Sequence, residues 1–402
     1  MMKGMRGQGR MVALAAGAAL AVTGATHGFR RKRNLPPESG TRMVGSRPWM
    51  AEWAVIQANT EIEDRYFIEE HNGAVLCGVF DGHYGPRTAE YCRRNAPTIF
   101  SAAMKEQQGD ETASLKQTFR LLEEGWTSEA RKLMLVKDFK VAREGACGIM
   151  AYVTEEKVVV GNVGDSRAVL YREARKPRNT LEPLQLTREH NAADPRERIQ
   201  LIRAKPNDPE AVSYNSHSGA WYVKDTLQVT RAIGDLFLKL AEFHAPLPKD
   251  MQTHGSVYEP PYVSWEAEVT SMELDEDDLF LVLASDGLWD ELSNSETAES
   301  IRRASRDPAS SVAGRAVAKQ AFKRSGQALQ AGRAGGAAAD GTAPVHTGEA
   351  LLWDALRANP YSRYYGVEKT LQLEVGEGRR DVHDDISILV VSLQGAAAST
   401  QQ

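Results

Sequence analysis

Six acidic settings in this chain carry residue types that bind hard cations: Glu63-Asp64, Asp81-Gly82-His83, Gly164-Asp165, Asp286-Gly287, Asp290 and His383-Asp384-Asp385. Most of them stand where an apolar, β-prone run begins or ends. Carboxylates gathered at the ends of buried strands repel one another and stay ionised only if cations compensate them. Oxygen donors of this kind, with the carbonyl of a glycine such as Gly82 turned inward, suit magnesium or manganese rather than zinc. Two such ions sharing one carboxylate lower the pKa of a common water and clamp a phosphoryl group, which is the two-metal route to hydrolysis. His83, beside the shared carboxylate, has an imidazole suited to protonating a leaving alkoxide near neutral pH. Taken singly, each setting reads as well as a turn, a strand end or a surface pair, because Asp-Gly is ordinary turn chemistry.

The elements that must position these residues follow from hydrophobic period and punctuation. Residues 73–80 are a short apolar run bounded by Asn72-Gly73 and by the glycines after it, which predicts a buried strand delivering Asp81 at its end. Alternation at Trp49, Ala51, Trp53 and Val55 predicts a strand over 49–58, and Tyr66-Phe67-Ile68 a second one starting beside Glu63 and Asp64. Helices are expected over 86–104 and 112–134, the second with Leu115, Phe119, Leu122 and Trp126 on one face. Strands follow at 148–154, 157–162 and 167–172, then a short helix at 196–203 and an irregular Pro-, Asn- and Ser-rich flap at 204–222. Residues 227–230 and 262–269 read as β, and 279–284 as a strand running into Ser285-Asp286-Gly287. Helices are expected over 293–305, capped by Ser293 or Asn294, and over 310–328, before a last strand over 386–391.

The totals fit a globular chain: 402 residues, 42% hydrophobic, 49 basic against 54 acidic, and a net charge of -5 that argues against nucleic-acid binding. Cys77, Cys92 and Cys147 have no metal-finger spacing and read as reduced buried thiols. Residues 1–38 have a leader composition, basic residues flanking an Ala/Gly-rich run at 11–26, which reads as a targeting peptide or a short membrane anchor. That run falls short of the about 20 apolar residues a spanning helix needs, so targeting ranks above membrane association through it. Residues 39–48 read as a linker, 325–349 as a flexible Ala/Gly-rich insertion and 394–402 as a disordered tail.

Asp81-Gly82-His83, Gly164-Asp165-Ser166-Arg167, Thr230-Arg231-Ala232-Ile233-Gly234-Asp235, Ala284-Ser285-Asp286-Gly287-Leu288-Trp289-Asp290 and Asp384-Asp385-Ile386-Ser387 resemble, in that order, the motifs of the PPM-type (type 2C) metal-dependent serine/threonine protein phosphatases. The resemblance covers residues 49–393. It implies an α+β fold, a four-layer α-β-β-α sandwich of two antiparallel sheets flanked by helices, with metals at one end between the sheets. It also implies hydrolysis of phosphoserine and phosphothreonine in a protein substrate by a metal-bridging water, without a phosphoenzyme, using two Mg2+ or Mn2+ ions and a third held loosely. By motif position Asp81 bridges both metals and Gly82 offers its carbonyl to one. Asp286 and Asp384 complete the ligands of the first metal, Glu63 serves the other with Asp64 acting through water, and Asp165 and Asp290 join Asp286 in the third site. Many members carry an arginine that grips the phosphate where this chain has Asn59, which becomes the substrate-binding candidate. Residues 58–65, Glu189-His190-Asn191-Ala192, Pro260-Pro261-Tyr262 and the Asp384-Asp385 pair resemble the pyruvate dehydrogenase phosphatase branch, although plant-type relatives share some of these features. That branch implies a mitochondrial location and a dehydrogenase-type substrate; a membrane-anchored or cytoplasmic protein is the alternative. An inactive partner-binding relative would have lost metal ligands, and a membrane-tethered scaffold would depend on the leader. Arg167 and Arg231 read as ion-pair partners, Asp235 as the brace of a turn, Trp289 as core, and His71, His190, His217 and His383 as structural or exposed.

Overall fold

The computed structural model describes residues 38–44, 49–176, 180–253, 255–306, 347–359, 362–363, 380 and 383–393. Among them the strands are β1 (Glu38–Val44), β2 (Trp49–Ile56), β3 (Arg65–His71), β4 (Ala74–His83), β5 (Gly145–Val153), β6 (Lys157–Val163), β7 (Arg167–Glu173), β8 (Leu181–Gln185), β9 (Val212–Asn215), β10 (Ala220–Val223), β11 (Ile233–Gly234), β12 (Glu268–Glu273), β13 (Asp278–Ala284) and β14 (Ile386–Ser392). The helices are α1 (Arg87–Glu106), α2 (Glu111–Leu135), α3 (Pro195–Ala204), α4 (Ala241–His244), α5 (Asp286–Trp289), α6 (Asn294–Arg306) and α7 (Thr347–Ala358).

Two antiparallel sheets are stacked. One runs β1-β2-β14-β13-β7-β8 and the other β12-β6-β5-β4-β3, with β11 on the end of β5. The period of two along each strand divides its side chains between an inner and an outer face. On β4, Val75, Cys77 and Val79 join Ile149, Ala151, Leu281, Leu283, Leu389 and Val391 in the core between the sheets. Leu76 and Phe80 of the same strand face outward onto Phe100 of α1 and Phe119, Leu122 and Trp126 of α2. The outer face of the other sheet, with Val282, Ile388 and Val390, is covered by Ile301 of α6 and Leu352 and Leu356 of α7. Four layers result, as the resemblance implies. Local signals hold at the helix starts: the Asp110 side chain accepts from Ala113 N at 2.9 Å to cap α2, and Ser293 and Glu296 form a reciprocal capping box at α6.

Several expectations are corrected. β4 does not stop at Phe80: Asp81, Gly82 and His83 stay in the ladder opposite Cys147, Ala146 and Gly145. Residues 38–44, expected at the leader's end and in a linker, form the edge strand β1, paired to β2 from Glu38↔Val55 to Val44↔Trp49. The 204–222 flap contains the β9–β10 hairpin. Residues 227–230 make only single bridges, Val223↔Leu227 and Asn191↔Val229, and the late β region lies at Glu268–Glu273 rather than at 262–269. Residues 347–349, placed in the flexible insertion, begin α7. Residues 1–37, the 310–328 helix, 325–346 of the insertion and the 394–402 tail lie outside the described residues. Among the described residues no helix is long and apolar enough to cross a membrane. The three cysteines are buried and free.

Candidate active site

The inner-face parity of three strands converges at one end of the sandwich. Asp81 continues the odd-numbered side of β4 after Val75, Cys77 and Val79. Ser285 continues the side of Leu281 and Leu283 beyond β13; its hydroxyl donates to Asp64 Oδ2 at 2.8 Å and accepts from Ser387 N at 3.0 Å. Asp385 continues the side of Leu389 and Val391 before β14. Its Oδ1 accepts from Ala58 N (2.5 Å) and Asn59 N (3.0 Å), and its Oδ2 from Asn59 Nδ2 (3.0 Å) and Glu63 N (2.8 Å). This carboxylate ties the loop that carries Glu63 and Asp64 to the mouth of the opposite sheet. Asp165, after β6, accepts from Cys147 Sγ at 3.2 Å and from Asn191 Nδ2 at 2.8 Å. Asp286 opens α5 and Asp290 closes it, four residues and one helical turn apart. Gly82 must lack a side chain, because a Cβ there would lie 2.7 Å from the Glu63 carbonyl oxygen.

Electrostatics ties these groups together. Desolvation first, then the charges of Asp64, Asp286, Asp384 and Asp165, hold the Asp81 carboxyl well above the usual range. Asp286 is raised in the same way, by burial and then by Asp165, Asp384, Asp290 and Asp64. Burial and the neighbouring Asp385 push Asp64 up to about 8 and Glu63 to about 7, while burial and Asp165 push Asp290 to about 6. Burial also raises Asp384, against the pull of Arg380, which pairs with it. The predicted metal set of Glu63, Asp64, Asp81, Asp165, Asp286, Asp290 and Asp384 is therefore brought within mutual electrostatic reach.

These residues fit hard divalent cations. Asp64 Oδ1 and Asp286 Oδ1 are buried oxygens with no hydrogen-bond partner among the described residues. Buried lone pairs of that kind are normally satisfied, and the donor set is oxygen throughout. Among the described residues no three His, Cys, Asp or Glu side chains stand close enough together to hold a metal ion as they are placed here. A cleft of about 620 Å³ opens elsewhere, between α2, α3 and residues 230–266. Its charged floor is already paired, Lys239 Nζ lying 2.8 Å from Glu123.

His83 Nε2 donates to the Asp235 carboxylate, 2.9 Å from each oxygen. Burial works against the imidazolium, but the charge and hydrogen bond of Asp235, helped by Asp165 and Glu63, raise the His83 pKa overall. Asp235 is fully buried, in the left-handed region at φ 51°, with its N–H on the Glu144 carbonyl at 3.0 Å. Gly145 faces the pair across the ladder, and a Cβ there would collide with both His83 Nε2 and Asp235 Oδ2.

Two roles differ from the sequence reading. Asp235, taken for a turn brace, also holds the histidine, and only the resemblance of its segment to a family motif pointed to it. Asn59, the substrate-binding candidate, has its amide engaged by Asp385. Asp385 itself was not singled out, since nothing in the Asp384-Asp385 pair distinguishes the two members. Arg167 is the expected structural cation, pairing with Glu189 and donating to Asn294 at 2.7 Å. His190, fully buried, accepts from Gly164 N at 3.3 Å and so braces the Asp165 turn.

Comparison with known proteins gives the family and agrees with the fold. The family described as Protein phosphatase 2C matches residues 51–326. The chain is similar to "Probable protein phosphatase 2C 79" of Arabidopsis thaliana, 32% identical over 67% of this chain and 72% of that protein. It is also similar to "Probable protein phosphatase 2C 78" of Oryza sativa subsp. japonica, 30% identical over 85% of this chain and 76% of that protein. Its fold matches the crystal structure of serine-threonine phosphatase 2C from Toxoplasma gondii with a TM-score of 0.53 at 17% identity, covering 89% of this chain and 99% of that one. These names carry the family and do not bear on the pyruvate dehydrogenase phosphatase branch or on a compartment. Carboxylates at the ends of two stacked sheets, with a histidine beside them, are thus those of a family member: the chain belongs to the protein phosphatase 2C family and is a protein serine/threonine phosphatase.

Proposed function

We propose that the chain is an active Mg2+- or Mn2+-dependent phosphatase in which Asp81, Asp286, Asp384, Glu63 and the Gly82 carbonyl hold two cations, Asp64 acts through water, and Asp165 and Asp290 join Asp286 at a weaker third site. The single observation that carries this reading is the pair of buried oxygens without a hydrogen-bond partner among the described residues, Asp64 Oδ1 and Asp286 Oδ1, within a group of carboxylates raised by burial and then by their neighbours. Bound there, the cations would supply Lewis acidity to the phosphoryl oxygens and lower the pKa of a shared water.

The chain's own residues do the rest. Asp385 fixes the loop bearing Glu63 and Asp64, and Cys147 and Asn191 orient Asp165. Cys147 is no nucleophile, because burial and then Asp165 keep its thiol far above the range in which a thiolate forms. As the family resemblance implies, water attacks phosphorus directly: a P–O bond to water forms as the P–O bond to the substrate hydroxyl breaks. In the imidazolium of His83, Nε2–H is held by Asp235, and Nδ1–H is the proton available to the departing serine or threonine oxygen.

The test is hydrolysis of a phosphoserine peptide with Mg2+ or Mn2+ against chelator, in wild type, Asp81→Asn and Asp286→Asn. Metal-dependent turnover that collapses in both variants is expected, and unchanged turnover in either removes the metal assignment. The mitochondrial location and dehydrogenase-type substrate rest on residues 1–38 and the branch resemblance alone. Fractionation with phosphoproteomics of purified mitochondria, with and without the protein, tests both, and a protein absent from that fraction overturns them.

A further inference from the structure

Arg143 is a cation that the phosphatase reading leaves unused. It ends the 3-10 turn Phe139–Ala142, two residues before Gly145, the ladder partner of His83. Its guanidinium lies over the Tyr84 ring, 4.4 Å from the centroid, and 5.2 Å from the centroid of Phe237. The carboxylates nearby are committed elsewhere: Arg87 holds Glu144 (2.9 Å) and Asp138 (2.5 Å), and Asp235 takes His83. Among the described residues Arg143 has no ion-pair partner, and its buried Nε has no hydrogen-bond acceptor.

A half-buried guanidinium left without an anion is costly, and one held by aromatic rings keeps its N–H fork for a bidentate oxyanion. The platform beneath it is fixed. Tyr84 follows His83 directly, its hydroxyl donates to Thr226 O at 3.2 Å, and its backbone sits at φ 59°, a region that a bulky residue occupies only when its surroundings hold it there. Arg380 pairs with Asp384 at the carboxylates, whereas Arg143 is held over Tyr84, the residue directly after His83. The geometry thus assigns Arg143 an anion beyond His83 rather than the phosphate at the carboxylates.

We propose that Arg143, presented by Tyr84 and Phe237, is a subsite for the carboxylate of an Asp or Glu that flanks the phosphorylated residue of the substrate, making this phosphatase selective for acidic phosphopeptides. The proposal rests on the phosphatase reading, with His83 at the scissile bond. Phosphoserine peptides carrying Asp or Glu at successive flanking positions are compared with their Asn or Gln counterparts, on wild type, Arg143→Met and Arg143→Lys. Wild type is expected to favour an acidic peptide by about tenfold in kcat/KM, through KM, as one charge-assisted hydrogen-bonded contact supplies. Arg143→Met brings that ratio to about one, and Arg143→Lys, a point charge without the fork, gives an intermediate ratio. A wild-type ratio near one at every position, or loss of the same factor on acidic and neutral peptides in both variants, overturns the subsite. Fluorescence anisotropy with the same labelled peptides reads the ratio as affinities. An Arg143-dependent preference in binding without hydrolysis would sink the phosphatase reading and keep the subsite, and no preference in binding would sink the subsite.

Discussion

Asp208 and Asp81 are both carboxylates set among protein atoms, and they have opposite fates. Asp208 is fully buried, yet Lys224 Nζ lies 2.9 Å away and the Tyr262 hydroxyl donates to it at 2.5 Å, so its pKa is lowered in spite of desolvation. The Asp81 carboxyl is desolvated too, but its pKa is raised, first by that desolvation and then by the charges of Asp64, Asp286, Asp384 and Asp165, with no lysine to oppose them. Burial alone therefore does not separate a structural carboxylate from a functional one. The partner does: where the chain supplies a lysine the charge is settled, and where it supplies further carboxylates the balance is left to an ion from outside.

Exchanging the partners breaks the comparison most severely. Asp81→Asn is expected to cost about three orders of magnitude in metal-dependent turnover, the scale of several kcal/mol of transition-state stabilisation, while the chelated protein melts no lower than wild type because one repulsive charge is gone. A chelated melting temperature well below wild type would mean that Asp81 is a structural carboxylate after all. Lys224→Met should do the reverse, costing about 3–5 kcal/mol of stability by stranding Asp208, with turnover per folded molecule retained. Denaturant unfolding measures the first and a rate normalised to folded protein the second; an unchanged midpoint would remove the contrast.

His83→Gln sharpens the comparison at the titratable cation-forming group beside the cluster. The expected loss is about 10²-fold on a phosphopeptide and smaller on an activated aryl phosphate, whose leaving group needs less protonation. Equal losses on both would take His83 out of the acid role. The smallest effect is on pH dependence without metal. Glu63, Asp64 and Asp290 are raised to about 7, about 8 and about 6, above the ordinary carboxylate range. Groups raised on folding contribute stability that is fully present below their unfolded pKa and lost as pH rises from there through the folded values, here from pH about 4 to about 8. In chelator the melting temperature should fall across that window, and Mg2+ should flatten the fall; parallel curves with and without Mg2+ would contradict it.

Much of this site was legible because its residues lie where strands change to something else. The alternation of Val75, Cys77 and Val79 fixes which face Asp81 takes, and the apolar run of β13 does the same for Ser285. Less legible was whatever depended on partners far along the chain. Gly82 reads as a turn in isolation, but Cys147, Ala146 and Gly145 keep it in a ladder. The β9–β10 hairpin hides in a polar flap because its cross-strand pairs, such as Tyr214 with Trp221, flank a loop rich in Asn, Ser and Gly. Asp385 is chemically identical to Asp384, and only its position opposite Ala58, Asn59 and Glu63 makes it a structural tie. Asn59 was offered as a phosphate contact by analogy with an arginine, but its amide is taken by Asp385, and Arg143, which belongs to no motif, was not singled out.

The central claim is that Asp81 and Asp286, which have no ion-pair partner among the described residues, are left to cations that complete them. Titrating Mn2+ into chelator-treated wild type, Asp81→Asn and Asp286→Asn while following the melting temperature tests it without relying on catalysis. A saturable rise in wild type that is absent or strongly weakened in both variants is the predicted result, and no rise in wild type, or an equal rise in all three, would contradict it.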